Sequence, residues 1–265
     1  MSDQGFRDQR IIVTGASSGI GAAIARGLAA EGAHLALVAR RGDRLATLAA
    51  ELSGGPGRAI AVEADLVEPM AAERVVQEAE VGLAGPINGL VNNAGIGSYG
   101  ATVDVSPADL ERMIGLNVSA VVRLTRTVLP GMIERRHGRI LNIASTAAFQ
   151  PTPHMAAYGA TKAFVLSFSM GVWAECRKKG VGVTCVCPGP VATEFFDRGG
   201  FESRKGDFSK VAMSAAEVAR QAIEAMRGRR SVYVPGWKNK IGAVMQRFAP
   251  LRTVTRMTGK LLGPK

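Results

Sequence analysis

One octapeptide, Thr14-Gly15-Ala16-Ser17-Ser18-Gly19-Ile20-Gly21, stands between a short apolar run at 10–14 and an alanine-rich stretch at 20–31. Three glycines at such a junction allow a tight turn and a close backbone approach. A helix that begins there offers free N–H groups and the positive end of its dipole, a cradle for a pyrophosphate. The rest of the chain keeps the same alternation. Apolar runs at 34–40, 58–63, 87–92, 139–144, 181–187 and 231–234 alternate with helical patterns at 43–52, 69–81, 107–129, 155–179 and 215–227. Strands apolar on both faces, separated by helices, predict a single α/β doubly wound Rossmann-type domain. Its seven-stranded, mainly parallel sheet would carry helices on both faces.

Composition narrows the class. Of the 265 residues, 47% are hydrophobic and 21% charged, which argues against disorder. Three cysteines do not make a disulfide framework and suit a reducing compartment. The polar first ten residues carry no signal-peptide pattern, so a cytoplasmic place is expected. The 22 uncharged residues 140–161 include Asn142, Gln150, Pro151 and Pro153 and are not expected to span a membrane. The net charge of +11 is uneven. The last 41 residues hold 10 of the 33 basic residues and none of the 22 acidic ones, which leaves +1 on the first 224. No specific nucleic-acid partner is expected of a domain without a basic face.

Two constellations add chemistry. A dinucleotide site that takes NAD places an acid about 20 residues past the glycines, on the ribose 2′-hydroxyl. Arg40 and Arg41 stand there instead. Guanidiniums grip a phosphate bidentately, so NADP(H) is favoured over NAD(H). Tyr158 and Lys162 are four residues apart and share one face of a predicted helix. A phenol with a pKa of about 10 is a poor acid–base group near neutrality, and a neighbouring ammonium would lower it. The pair then suits a general acid that protonates a carbonyl oxygen.

Together these residues resemble the short-chain dehydrogenase/reductase family over about residues 10–234. Further motifs stand in order: Asn92-Asn93-Ala94-Gly95 closing the fourth strand, Asn117 in the long crossover helix, Ser145 ending the fifth strand, and Pro188-Gly189 with Thr193 after the sixth. The resemblance implies Tyr158 as catalytic acid/base, Ser145 as the holder of the substrate oxygen, Lys162 on the nicotinamide ribose, and Asn117 holding a water on a proton path. It implies cofactor contacts at Gly15, Ser17, Ser18, Ile20 and Gly21 in the turn, and at Asp65 and Leu66 near the adenine. It implies further contacts at Asn92 near the adenosine ribose and at Thr193 near the nicotinamide amide, with Ala94, Gly95, Pro188 and Gly189 also in contact with the cofactor. Asn93 would be scaffolding. Some NADP-preferring members carry a basic residue in the glycine turn. Ser17 and Ser18 stand there, so the preference rests on Arg40 and Arg41. The activity implied is an NADP(H)-dependent interconversion of carbonyl and alcohol, in a homodimer or homotetramer built on the two long helices.

Residues 188–213 form an irregular segment that holds Phe195, Phe196, Phe201 and Phe208, four of the nine phenylalanines. Loops this long are commonly functional, and a lid over an apolar substrate is expected. The Tyr233-Val-Pro-Gly236 strand end and the tail after it resemble family members that act on lipophilic carbonyls, which implies a 3-oxoacyl, steroid-like or retinoid-like substrate. His154, four residues before Tyr158, is a candidate border of that pocket. His34, His137 and His154 are too scattered for a metal site, and Cys185 and Cys187 read as core. Residues 1–235 are read as the dinucleotide-binding and catalytic domain, and 236–265 as a basic amphipathic extension. In the extension Trp237, Ile241, Val244, Met245 and Phe248, then Leu251, Val254, Met257, Leu261 and Leu262, recur at helical spacing. Lys238, Lys240, Arg247, Arg252, Arg256 and Lys260 lie between them. Three readings stand open: packing on the body beside the substrate entrance, peripheral contact through 237–265 with an anionic membrane, or docking of an acidic carrier protein or a thioester cofactor. Two rivals to an enzyme also stand: a non-catalytic NADP-binding regulator on the same fold, and a membrane-associated binding module driven by the tail.

Overall fold

The computed structural model describes residues 5–197, 199–201, 206 and 211–263. Alternation of side chains along β1 (Arg10–Thr14) decides the layering. Ile11 and Val13 point into one layer and Ile12 into the other, all essentially buried. Around β1 assemble β2 (His34–Ala39), β3 (Ala59–Glu63), β4 (Gly89–Asn92), β5 (Gly138–Ile143), β6 (Val181–Val186) and the two-residue β9 (Val232–Tyr233). The order is β3-β2-β1-β4-β5-β6-β9 and every pair is parallel. The expected seven-stranded Rossmann-type sheet is therefore present.

The first layer packs α1 (Gly19–Ala30), α2 (Gly42–Ser53) and α7 (Ala215–Arg227) on the sheet through Ile24, Leu28, Leu45 and Ile223. The second packs α3 (Ala71–Gly82), α5 (Ala120–Glu134) and α6 (Ala156–Cys176) through Val75, Leu124, Val128 and Val172. The chain runs outward from β1 to β3 and then returns to β4 beside β1. That reversal opens a crevice at the carboxyl ends of β1 and β4, where ligands of such sheets bind.

Several elements differ from the sequence reading. The helix expected at 107–129 is α4 (Pro107–Ile114), a π turn at Gly115–Ser119 and then α5, which runs on to Glu134 through Pro130. Apolar periodicity does not sense a single wide turn. The segment 188–213 contains β7 (Val191–Ala192), which pairs with β8 (Met213–Ser214), and a 3-10 turn at Glu194–Asp197. Phe208, expected in the lid, lies outside the described residues. The tail forms α8 (Trp237–Met245), a turn at Gln246–Phe248 and α9 (Leu251–Leu262). Val254, Thr258 and Leu262 are the buried side of α9. Thr258 Oγ1 donates to the Pro151 carbonyl at 2.9 Å, and the Tyr99 hydroxyl donates to the Leu262 carbonyl at 2.6 Å.

Candidate active site

The glycine turn is gripped from β4. Asn93 Nδ2 donates to the carbonyls of Thr14 (2.9 Å) and Gly15 (3.3 Å). Thr14 Oγ1 donates to the Val91 carbonyl and accepts from the N–H groups of Asn93 and Ala94. Gly15 has φ +65, and a Cβ at Gly21 would stand 2.3 Å from the Gly15 carbonyl oxygen, so neither position tolerates a side chain. Asn93 thus sits where scaffolding was expected. The first turn of α1 holds no acidic residue, and its N-cap Ser18 makes no side-chain capping bond. The leading N–H groups and the dipole are left to an anion, which fits a pyrophosphate. Thr193 lies against this end of α1, its Cγ2 3.0 Å from where a Gly19 Cβ would be.

Arg41 faces the same turn. Its Nη2 donates to Ser17 Oγ and Ser18 Oγ, both at 2.9 Å, and its Nη1 to Glu194 Oε2 at 2.8 Å. Arg44 Nη1 donates to the other Glu194 oxygen at 2.6 Å. The two guanidiniums hold the Glu194 carboxyl down at about 2. Arg40 is exposed, and its charge reaches Asp65. Burial pushes the Asp65 carboxyl up, but Arg112 Nη2 at 2.6 Å and the Val67 N–H bring it below its ordinary value. Leu66 is buried beneath it. The Asn92 side chain is also buried, with Nδ2 donating to Thr125 Oγ1 (3.2 Å) and Asn142 Oδ1 (2.8 Å). It faces the α5–α6 layer, so a part for Asn92 at a cofactor would run through its main chain.

The residues expected to form the acid–base group lie at the end of β5 and on the first turns of α6, beside the end of β6. Ser145 ends β5 in extended conformation, its Oγ accepting from the Ala147 N–H at 3.1 Å and hydrogen-bonded to Tyr158. Tyr158 is 8% exposed and Lys162 6%. Lys162 Nζ donates to the Ile143 carbonyl at 3.0 Å and lies 5.8 Å from the Tyr158 ring centre. A Cβ at Gly95 would be 3.1 Å from Asn117 Oδ1 and 3.3 Å from Lys162 Nζ, so glycine there lets the amide and the ammonium stand side by side. Asn117, in the π turn, bonds both main-chain groups of Ile96 and donates to Thr161 Oγ1. The Thr146 N–H donates to the Pro188 carbonyl at 2.8 Å, which ties β5 to the Pro188-Gly189 corner, and Asn239 of α8 packs on Gly189.

One expectation is corrected. Lys162 was expected to lower the Tyr158 pKa. Burial instead pushes the phenol up to about 12, against a smaller opposing pull from the Ser145 hydrogen bond. Burial likewise lowers Lys162 to about 8. An i, i+4 spacing puts two side chains on one face but carries no information on how dry that face is.

An apolar wall closes on Tyr158. Phe195 lies 5.4 Å from it between ring centres, and Phe196 and Phe201 each 5.3–5.5 Å from Phe195. Ile96, Tyr99, Met113, Met155 and Leu262 complete the cluster. His154 neighbours Tyr99, their rings 6.0 Å apart. Among the described residues, no group of three or more His, Cys, Asp or Glu could hold a metal ion.

The comparisons follow this geometry. The family model for short chain dehydrogenases matches residues 9–200. The chain belongs to the short-chain dehydrogenase/reductase family. Nodulation protein G of Rhizobium sp. (strain N33) is 36% identical over 232 residues, covering 86% of this chain and 93% of that protein. The very-long-chain 3-oxoacyl-CoA reductase of Anas platyrhynchos is 42% identical over 191 residues, covering 69% of this chain. The chain spans 60% of the length of that enzyme and of a fungal relative. Among solved structures, a short-chain dehydrogenase from Sphingobium yanoikuyae in complex with NADPH superposes with a TM-score of 0.77. It is 34% identical over 91% of this chain and 95% of its own. In this member of the short-chain dehydrogenase/reductase family, Glu194, Arg44 and Arg112 join the site without a signal in the sequence, and Leu262, marked there only as part of the apolar repeat of the tail, joins its apolar wall. Each arrives through a contact with a residue distant in the chain.

Proposed function

We propose that the chain is an NADP(H)-dependent oxidoreductase that interconverts a carbonyl and an alcohol on a lipophilic substrate. The observation that carries this reading is the meeting of the buried Tyr158 hydroxyl and Lys162 ammonium with the half-buried Ser145 hydroxyl, beside a glycine turn open to an anion. The turn residues Gly15, Ser17, Ser18, Ile20 and Gly21 would hold the pyrophosphate, and Arg40 and Arg41 the 2′-phosphate. Asp65 and Leu66 would flank the adenine, with Ala94, Gly95 and the Asn92 main chain at its ribose. Lys162 would hold the nicotinamide ribose, and Pro188, Gly189 and Thr193 the carboxamide. When bound, the nicotinamide supplies or accepts the hydride.

The chain's own residues handle the oxygen and its proton. Ser145 and Tyr158 bind the substrate oxygen, and Tyr158 donates its proton to it in reduction and recovers it in oxidation. Burial keeps the phenol protonated at neutral pH, the form that reduction needs. Lys162 and Asn117 continue the polar path by which Tyr158 is reprotonated. The aromatic wall supports a substrate of 3-oxoacyl, steroid-like or retinoid-like character, and Phe164 of α6, 40% exposed, supports pairing of copies through that helix. Residues 1–235 form the catalytic unit, with 236–265 an extension that reaches its apolar wall. No helix among the described residues is long and apolar enough to cross a membrane, and the reading is of a cytoplasmic protein.

The test follows NADPH absorbance with carbonyls of graded chain length. Turnover that rises with length supports both the activity and the pocket. NADPH binding without turnover on any of them rejects the catalytic reading and favours a cofactor-binding regulator. The preference for NADP(H) has its own check, because Glu194 and a 2′-phosphate share Arg41. Glu194→Gln is expected to tighten binding of 2′,5′-ADP about tenfold and to leave 5′-ADP nearly unchanged, as measured by calorimetry. Equal affinities for the two nucleotides in the unsubstituted chain would remove Arg41 from a phosphate site.

A further inference from the structure

The C-terminal helices leave an apolar surface that neither the core nor the site absorbs. At 100° per residue, Trp237, Ile241, Val244 and Met245 fall within one arc of α8, on the side away from buried Ala243. They are 70%, 53%, 47% and 61% exposed. Phe248, 81% exposed in the following turn, and Leu251, 67% exposed at the start of α9, continue the surface. Lys238 and Lys240 flank the apolar arc of α8 on its two sides, and both are exposed. On α9, Arg252, Arg256 and Lys260 line an exposed side away from buried Val254, Thr258 and Leu262.

We infer that this surface, α8 with the Gln246–Phe248 turn and the outer side of α9, docks on an anionic lipid bilayer. Charge selects the occupant. Residues 225–265 contain ten basic residues and no acid, so a second copy docking on the same patch would set two such segments against each other. A nucleic acid would satisfy the charges but leave the aromatic and aliphatic arc unmatched. An anionic bilayer meets both demands. The arc enters the acyl boundary, a tryptophan and a phenylalanine sit at headgroup depth, and the lysines reach the phosphates along their own stems. The inference stands apart from the catalytic reading, since none of these residues belongs to the Tyr158 site.

The experiment uses the full chain with vesicles of phosphatidylcholine alone and of phosphatidylcholine mixed with phosphatidylglycerol. Co-sedimentation with the mixed vesicles is expected, with weaker binding at high salt and a blue shift of Trp237 emission. The double variant Ile241→Glu with Val244→Glu changes only exposed side chains. It is expected to abolish sedimentation while its melting temperature stays that of the unsubstituted chain. Lys238→Gln and Arg256→Gln are each expected to lower affinity for the mixed vesicles about fivefold. No sedimentation with either vesicle would overturn the inference. So would a double variant that still sediments, or one that instead dissolves a dimer in light scattering, which would make the patch a contact between copies.

Discussion

Tyr158→Phe is expected to lower NADPH-dependent carbonyl reduction about a thousandfold while leaving NADPH affinity within about twofold. The substitution removes one hydroxyl from a ring that stays packed on Phe195 and buried in the same cluster. What is lost is the proton, and kcat falls far more than KM rises. Stopped-flow oxidation of NADPH and a fluorescence titration separate the two quantities. Turnover within about tenfold of the unsubstituted chain would place the donor elsewhere. The same phenol sets the pH dependence. Its pKa is pushed up to about 12 by burial, so reduction, which uses the protonated form, is flat through neutrality. Alcohol oxidation uses the phenolate and is expected to climb about tenfold per pH unit.

Lys162→Met is expected to act in two directions at once. Turnover falls about a hundredfold because the ammonium between Ile143 and Asn117 is gone. Stability at neutral pH rises by on the order of 2 kcal/mol, because a buried cation is replaced by an apolar side chain of similar length. The pH dependence gives the sign. Burial lowers Lys162 in the fold to about 8 from an ordinary 10.5. Between those values the unfolded chain binds a proton that the native chain has released, so stability climbs with pH across that window. Above it Tyr158, held up at about 12 from an ordinary 10.0, works the other way, because the unfolded chain loses its proton first. Thermal melts as a function of pH should show the rise in the unsubstituted chain and its absence in Lys162→Met. A less stable variant at neutral pH would mean that the Lys162–Ile143 hydrogen bond outweighs the burial cost.

The parts of the molecule written in neighbouring residues were legible from sequence. The turn from Thr14 to Gly21 announces itself because its glycines lie within one strand–helix junction, and Tyr158 and Lys162 because a helix repeats every four residues. The sheet followed from apolar runs of strand length. What was not legible is what depends on burial or on contacts across the chain. Glu194 reaches Arg41 across 153 positions, and no local pattern marks such a pair. The Asn92 side chain turns into the layer between β4 and α5, a matter of strand facing that a motif does not encode. The dryness that lifts Tyr158 comes from Phe195 and Met113, which belong to other elements. The π turn at Asn117 is a one-residue change of pitch inside an otherwise ordinary apolar repeat.

The return of the chain to β4 beside β1 also governs how the molecule comes into being. Asn93 and Thr14, whose bond grips the glycine turn, are 79 positions apart. Loop closure over such spans is charged against folding before any contact repays it, so a parallel sheet of this order assembles slowly and late. During synthesis the glycine turn emerges long before the strand that shapes it. Until β4 arrives, β1 keeps an exposed apolar edge on the side where β4 will pair, a form prone to aggregate. The crevice that would hold a dinucleotide is thus a late product of folding, and a ligand that binds there would favour the completed sheet over every shorter intermediate.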